Sequence, residues 1–411
     1  MDFVNGSGDY ILSAGYVESS LRTGKYYSWG IDKTNVPERI TVLDTTLRDG
    51  EQSPGVSISP VEKMKIAQML EEAGVDVIEA GFPAASETEG IAVSQINSVS
   101  RKSQICALAR CVPGDIETAV NTGVKRIHLF IATSEIHMKH KLRMTEAQVL
   151  EAVERSVSSV AERGIKVEFS CEDATRSDLN FLNEVFLAAK RNGATIGNIP
   201  DTVGAVSPPA MMEIVKTVRN ATKSDISVHC HNDFGLATAN TLFGVMGGAS
   251  QVHVTVNGIG ERAGNAAMEE VVMGIQTFLG ARTGMRTEKL TELSEYVSEI
   301  TGMRVQPNKA IVGENAFSHE AGIHVHGLIN DVSTYEPIDP SLVGTGRKII
   351  LGKHSGLGSI QWIMKRNNIF ADNSVAKDIL RRVKELSESG TKVDESMVVN
   401  MFAKSYPSRI N

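Results

Sequence analysis

The chain is poor in the features that mark several whole classes of protein. No apolar run approaches the roughly 20 residues that cross a bilayer. The first residues, MDFVNGSGDYILSAGYVESS, lack the basic stretch followed by an apolar one that makes a secretion signal. There is no basic block, and 42 Lys and Arg against 49 Asp and Glu leave a formal net charge of −7. That argues against phosphate neutralisation, and so against nucleic acid as the main partner. Only four cysteines occur, Cys106, Cys111, Cys171 and Cys230, and their spacing is not that of a zinc site. They lie in or just after apolar runs, where cysteine acts as a small hydrophobe. Reduced thiols and a cytoplasmic protein, bound to neither membrane nor nucleic acid, are the expectation.

What is present is an alternation. From residue 40 short apolar runs are each followed by a stretch of helical periodicity. The runs are ITVLD (40–44), VDVIEAG (75–81), QICALAR (104–110), RIHLFIA (126–132), KVEFSCE (166–172), ATIGNIPD (194–201), ISVHCH (226–231) and QVHVTVNG (251–258). Apolar strands alternating with amphipathic helices imply a parallel sheet covered by helices. Eight units in roughly 240 residues predict an α/β fold, a (β/α)8 TIM barrel. A doubly wound open sheet is the alternative, but the first strand–helix turn, TTLRDGEQ, has no GxGxxG fingerprint. Residues 1–38 read as an N-terminal extension in which Tyr26, Tyr27 and Trp29 suggest packing against something, such as a second subunit. Residues 39–285 read as the barrel, and 286–411 as a linker and a helical accessory region.

A barrel collects its chemistry at the C-terminal ends of its strands. Polar residues fall there in every unit: Arg48 and Asp49, Glu79, Arg110, Thr133 and Ser134, Ser170 and Glu172, Asp201 and Thr202, His229 and His231, and Asn257 with the GIGERAGN loop (258–265). His229 and His231 are two apart, so on a strand they share a face. With Asp49 they offer two nitrogens and a carboxylate oxygen, and Asn265 adds a carbonyl oxygen. Such mixed ligation suits a divalent ion, Mg2+, Mn2+ or Zn2+, acting as a Lewis acid. The plain alternative is a pair of strand-end histidines bonded to loops. Arg48 suits a small carboxylate or a developing oxyanion, or else a structural ion pair with Glu79. Glu172 and His324 are acid/base candidates; the alternatives are an ion-pair partner and an ordinary helix histidine.

Five stretches carry a resemblance. LDTTLRDGEQSPG (43–55), VIEAGFPAAS (77–86), HCHNDFGLATAN (229–240), NGIGERAGNAAMEEVVM (257–273) and KAIVGENAFSHEAGIHVHGL (309–328) resemble the α-isopropylmalate synthase/homocitrate synthase family, over about residues 39 to 360. The resemblance implies a metal-dependent TIM barrel that condenses acetyl-CoA with a 2-oxo acid and then hydrolyses the thioester. It implies Asp49, His229, His231 and Asn265 as metal ligands. Arg48, Glu79, His128, Ser170 and Thr202 would contact the oxo acid, and Gly258, Gly260 and Gly264 the acetyl-CoA. It further implies Arg48, Glu172, His324 and Tyr335 as catalytic residues, the last two delivered by the neighbouring subunit of a domain-swapped homodimer. The related lyases carry a cysteine in the glycine-rich loop; GIGERAGN has none, which favours synthesis over cleavage.

The choice of oxo acid turns on fewer residues. Homocitrate synthases, which bind a second carboxylate, tend to carry a histidine and an arginine where this chain has Val112 and Glu168. A carboxylate gains little from valine and is repelled by glutamate. The expectation is therefore the isopropylmalate branch of leucine biosynthesis, acting on 2-oxoisovalerate. Homocitrate synthesis from 2-oxoglutarate and citramalate synthesis from pyruvate are the alternatives. A catalytically silent regulatory relative is the non-enzyme alternative, against which the retained Asp49, His229, Glu172 and His324 speak. The chain ends soon after LGKHSG (351–356), so no C-terminal regulatory domain, and no leucine inhibition through one, is expected.

Overall fold

The computed structural model describes residues 28–370 and 372–406, so Tyr26 and Tyr27 lie outside the described residues. Trp29 is exposed. The chain divides into two compact units that part between Val305 and Gln306.

The first unit is a closed parallel barrel of eight strands: β1 (Thr41–Asp44), β2 (Val77–Gly81), β3 (Gln104–Arg110), β4 (Arg126–Ala132), β5 (Lys166–Glu172), β6 (Ala194–Asp201), β7 (Asp225–Cys230) and β8 (Gln251–Val254). β1 pairs with β8 from Thr41↔Gln251 to Asp44↔Val254. That closure rules out the open sheet. Every residue of β2 and of β8 is buried, as expected where side chains face either the barrel interior or the helical layer.

The helices between strands are α1 (Pro60–Glu72), α2 (Glu87–Val99), α3 (Pro113–Asn121), α4 (Glu146–Ala161), α5 (Leu179–Arg191), α6 (Pro208–Thr222) and α7 (Ala237–Met246); α8 (Met268–Gly274) follows β8. Their starts are set by local chemistry. Ser59 and Glu62 form a reciprocal capping box ahead of α1, and Thr145 and Gln148 do the same for α4. Asp178 caps α5 by accepting from the backbone N–H groups of Asn180 and Phe181.

Inside the barrel lies a polar layer. Arg126 of β4 bonds Glu168 of β5 at 2.5 Å and Gln251 of β8 at 2.6 Å, and Glu168 accepts from Gln251 at 2.7 Å. β4 and β8 lie on opposite sides of the closed ring, so these side chains meet in its interior. Two residues further along their strands stand His128, Ser170 and His253, because alternate strand residues point inward. The ionic layer is thus a floor beneath the groups that occupy the barrel mouth.

The helix α9 (Leu290–Thr301), which the sequence reading assigned to the accessory region, belongs to the barrel unit. Leu290, Leu293 and Val297 are buried, and Ser294 exchanges hydrogen bonds with Asn257 of the loop after β8.

The second unit contains α10 (Gly322–Asn330), α11 (Leu357–Arg366), α12 (Asn373–Glu388) and α13 (Glu395–Ser405), with a short parallel pair, β9 (Ser318–His319) and β10 (Lys348–Ile349). Its core is built from Ile360, Ile363, Ile379, Val383, Val398 and Phe402. Among the described residues no helix is long and apolar enough to cross a membrane.

Candidate active and metal site

The chain leaves β1 through a turn in which the Thr45 carbonyl accepts from the N–H groups of Arg48, Asp49 and Gly50. The turn sets Arg48 and Asp49 over the barrel mouth. Arg48 donates through Nε to Glu79 at 2.7 Å and through Nη1 to Asp49 at 2.9 Å. Glu79, wholly buried in the middle of β2, also accepts from Thr45 Oγ1 at 2.7 Å. The ion pair offered by the sequence as the alternative role of Arg48 therefore exists, and Arg48 still lines the cleft.

Asp49, His229 and His231 converge, all three buried, with their donor atoms within 4.8 Å of one another. Nε2 of His229 is 3.1 Å from Oδ2 of Asp49 and 3.1 Å from Nε2 of His231. Two imidazole nitrogens so close must share a proton or face one cation. Donors bound at right angles about 2.1 Å from one ion lie about 3.0 Å apart, so the spacing fits a shared divalent ion. Three buried polar atoms in this cluster lack a hydrogen-bond partner: Asp49 Oδ1, His231 Nδ1 and Asn265 Oδ1. Asn265 is held by its amide Nδ2, which donates to the Ile259 carbonyl at 3.1 Å, leaving the oxygen free to ligate.

Electrostatics agree with that fit. Burial alone would raise the Asp49 carboxyl, but Arg48 and the two histidines outweigh it and hold the group well below the usual carboxylate range. Burial, aided by neighbouring His229, drops the His231 imidazole to about 3, so it is neutral and offers a lone pair. Glu79 is likewise held low, with Arg48 and then His128 overcoming the cost of burial.

Next to this cluster runs a chain of short hydrogen bonds. Nδ1 of His128 lies 2.6 Å from Glu79 Oε1, and its Nε2 lies 2.6 Å from Ser170 Oγ, which also accepts from Asn198 Nδ2 at 2.6 Å. His128, Ser170 and Asn198 all face an open cleft of about 950 Å³ whose walls include Arg48, Asp49, Glu172, Thr202, His229 and His231. Thus residues from the turn after β1 and from β4, β5, β6 and β7 meet in one cavity.

Sequence reasoning missed part of this wall. Leu108, Phe130 and Pro200 line it, with Phe82 from the loop after β2. A signal existed: Leu108 is two residues before Arg110, and Phe130 two after His128, so each shares its neighbour's face. Lys141 also lines the cleft. It comes from an irregular connection after β4 and had no periodic signal.

Other expected residues stand elsewhere. Glu168 is wholly buried in the ionic floor and does not line the cleft, because Arg126, Gln251 and His253 engage its carboxylate. Val112 caps α3 and is 42 % exposed, and Arg110 turns away to Asp115 at 2.6 Å. The substrate argument from Val112 and Glu168 therefore has no direct contact behind it. Gly258, Gly260 and Gly264 are not among the lining residues either. They shape the loop: a Cβ on Gly260 would fall 2.1 Å from Asn265 Nδ2, and one on Gly264 2.0 Å from the Gly258 carbonyl. The loop meets the cleft through Glu261 and Arg262. Arg262 clasps Asp233 at 2.8 Å and the Thr202 carbonyl at 2.8 Å, tying the loops after β6, β7 and β8 around His231. Asp233 thus supports the loop around His231 from behind, and Asn232 accepts from Ala237 N at the start of α7.

In the second unit, His324 of α10 and Tyr335 stack with ring centroids 4.2 Å apart. Tyr335 is 41 % exposed.

A family model described as HMGL-like matches residues 39–297, and one described as homocitrate synthase post-HMGL domain-like matches 311–391. The chain is 50% identical over 369 residues to the 2-isopropylmalate synthase of Methanocaldococcus jannaschii, covering 89% of this chain and 71% of that one. The chain belongs to the 2-isopropylmalate synthase/homocitrate synthase family. It is an acyltransferase of that family. An (R)-citramalate synthase of the same organism is 48% identical over 357 residues, 87% of this chain and 73% of the relative. Members with different names are thus almost equally similar, and overall identity does not select among them. Among solved structures, an HMG-CoA lyase from Bacillus subtilis superposes with a TM-score of 0.60 at 19% identity, over 66% of this chain and 96% of that one. That likeness shows the shared barrel.

Proposed function

We propose that this family member is a 2-isopropylmalate synthase, condensing acetyl-CoA with 2-oxoisovalerate and then hydrolysing the thioester. The observation that carries the choice is the cleft wall. Leu108, Phe82, Phe130 and Pro200 supply apolar surface, while every cation facing the cleft is already engaged: Arg48 by Glu79 and Asp49, Lys141 by Glu172, Arg262 by Asp233. That lining supports a branched alkyl group, and among the described residues lining the cleft no unpaired cation is offered to the second carboxylate of 2-oxoglutarate. Citramalate synthesis from pyruvate is the second reading, favoured by the near-equal similarity to the M. jannaschii enzyme of that name.

Asp49, His229, His231 and Asn265 would hold a divalent ion, with Mn2+, Mg2+ and Zn2+ as candidates. Such an ion polarises the 2-oxo acid as a Lewis acid. Glu172 takes a methyl proton from acetyl-CoA, and the resulting carbanion forms a carbon–carbon bond to the keto carbon. The keto oxygen takes the electron pair and becomes an alkoxide beside the Arg48 guanidinium. Water then cleaves the thioester and releases free CoA thiol. His128 and Ser170, fixed by Glu79 and Asn198, orient the oxo acid. In a domain-swapped homodimer, His324 and Tyr335 of the partner subunit would complete the site. Leucine biosynthesis and a cytoplasmic setting are part of the same reading.

Free-thiol release from acetyl-CoA, measured against a panel of 2-oxo acids with each metal supplied, tests it. The expected result is highest kcat/KM with 2-oxoisovalerate. Preference for pyruvate or 2-oxoglutarate overturns the substrate, and no release with any oxo acid overturns the reaction.

A further inference from the structure

Glu172 ends β5 at the cleft, and one neighbouring segment closes on it. The connection after β4 begins with Ser134, whose hydroxyl accepts from the His137 N–H, and then widens into a π-helical turn, Met138–Leu142. Arg143, with a left-handed φ of 55°, ends that turn, and buried Met138 anchors it. π-helical turns are rare and occur often at functional sites. Here the turn aims His137 and Lys141, four residues apart, the same way. Lys141 Nζ lies 2.5 Å from Glu172 Oε1, and His137 Nδ1 lies 3.8 Å from the same oxygen and 3.8 Å from Asp173. Asp173 in turn holds Arg176 at 2.8 Å, and its backbone N–H donates to Thr202 Oγ1 at 2.9 Å. Both contacts to Glu172 fall on Oε1, leaving Oε2 for the cleft.

We propose that Lys141 is a positioning residue for proton abstraction: its ammonium fixes the Glu172 carboxylate with one oxygen aimed into the cleft. The inference rests on Glu172 being the base of the reaction proposed above. An exposed ion pair adds little to stability, and Lys141 is half exposed, its side chain at 51 %. A role in folding therefore does not account for it. Orientation does, because a carboxylate free to rotate about its χ angles seldom points an oxygen at a methyl hydrogen. The ammonium has three donors and no acceptor, so it can hold a carboxylate but never compete with it for the substrate proton.

The test uses the full-length enzyme with its metal and the preferred 2-oxo acid, comparing Lys141→Met, Lys141→Arg and Glu172→Gln. Turnover is measured with ordinary and with methyl-deuterated acetyl-CoA. A positioned general base contributes about 10²–10⁴-fold, and losing only its orientation should cost about tenfold in kcat. Lys141→Met is expected to show that loss with KM for the oxo acid unchanged and a larger deuterium isotope effect, since proton abstraction becomes slower. Lys141→Arg, which can still donate to the carboxylate, should recover most of kcat. A Lys141→Met enzyme with normal kcat, or one slowed with no change in isotope effect, overturns the positioning role when Glu172→Gln is inactive. A Glu172→Gln enzyme of normal turnover instead overturns Glu172 as the base, and the inference with it.

Discussion

Nε2 of His229 stands 3.1 Å from Oδ2 of Asp49. The two residues lie 180 positions apart in sequence (229 − 49), one after β1 and the other on β7, and only closure of the ring through β8 brings them together. A hydrogen bond alone would satisfy one oxygen and leave Asp49 Oδ1 buried without a partner, as it is here. The expected consequence is metal-dependent stability. After chelation, adding Mn2+ at about 100 times its dissociation constant should stabilise the fold by about 2.7 kcal/mol. His229→Ala should lose both that rise in melting temperature and turnover. A variant that keeps the full Mn2+-dependent rise would remove His229 from the ligand set.

Gly260 gives a second approach to the same cluster. Its added Cβ would meet Asn265 Nδ2 at 2.1 Å, against the side chain whose free oxygen faces the cluster. Gly260→Ala is expected to push that amide aside, weakening metal affinity about 10-fold or more with little change in the far-UV dichroism spectrum. Metal titration by calorimetry measures it; an unchanged dissociation constant would mean that Asn265 is not a ligand.

Arg48 links two buried carboxylates, Glu79 and Asp49, with its own side chain 11 % exposed. Removing one partner of a buried pair costs about 3–5 kcal/mol because the other charge stays buried. Glu79→Gln should lower the urea midpoint accordingly, and should also slow turnover by freeing His128 from its 2.6 Å contact. Loss of turnover at full stability would make Glu79 a purely chemical group.

The eight strands were legible because parallel strands are apolar runs and helices keep a period near 3.6, and because the ring puts polar residues at one end of every strand. The grouping of Asp49, His229 and His231 followed from those positions alone. The oxo-acid argument was less legible. Val112 and Glu168 were placed by likeness to relatives, whereas their actual surroundings depend on cross-barrel partners that sequence spacing does not reveal. Arg126 and Gln251 reach Glu168 from strands 42 and 83 residues away. Lys141 was invisible for a different reason: a π-helical turn has no signature in hydrophobic periodicity.

Glu168 carries a pH dependence whose sign is fixed. Burial pushes its carboxyl up, but Arg126 and His253 outweigh burial and hold it well below its ordinary 4.5. The unfolded chain then takes up the proton first, so the stability from Glu168 is fully present above about pH 4.5 and is lost as pH falls below it. The urea midpoint of the wild type should therefore start to drop as the pH is taken below about 4.5 and keep falling toward the lower titration of the folded state. Glu168→Gln should already be destabilised at pH 7, with Arg126 left unpaired, and should fall less steeply in acid. Parallel acid limbs in the two proteins would show that Glu168 does not titrate there.

The cleft wall makes the last prediction. If the alkyl group of the oxo acid lies against Leu108 and Phe130, a bulkier residue at 108 must cost a branched substrate more than a small one. Leu108→Phe is expected to lower kcat/KM for 2-oxoisovalerate relative to pyruvate by about tenfold or more, since a single methylene in an apolar pocket changes binding by about 1–3 kcal/mol. The buried position makes overpacking a concern, costing about 1–3 kcal/mol of stability, so the ratio of the two substrates, not either rate alone, is the readout. Global damage slows both equally. An unchanged ratio would place the alkyl group away from Leu108 and return the choice of oxo acid to the other apolar lining residues, Phe82 and Pro200.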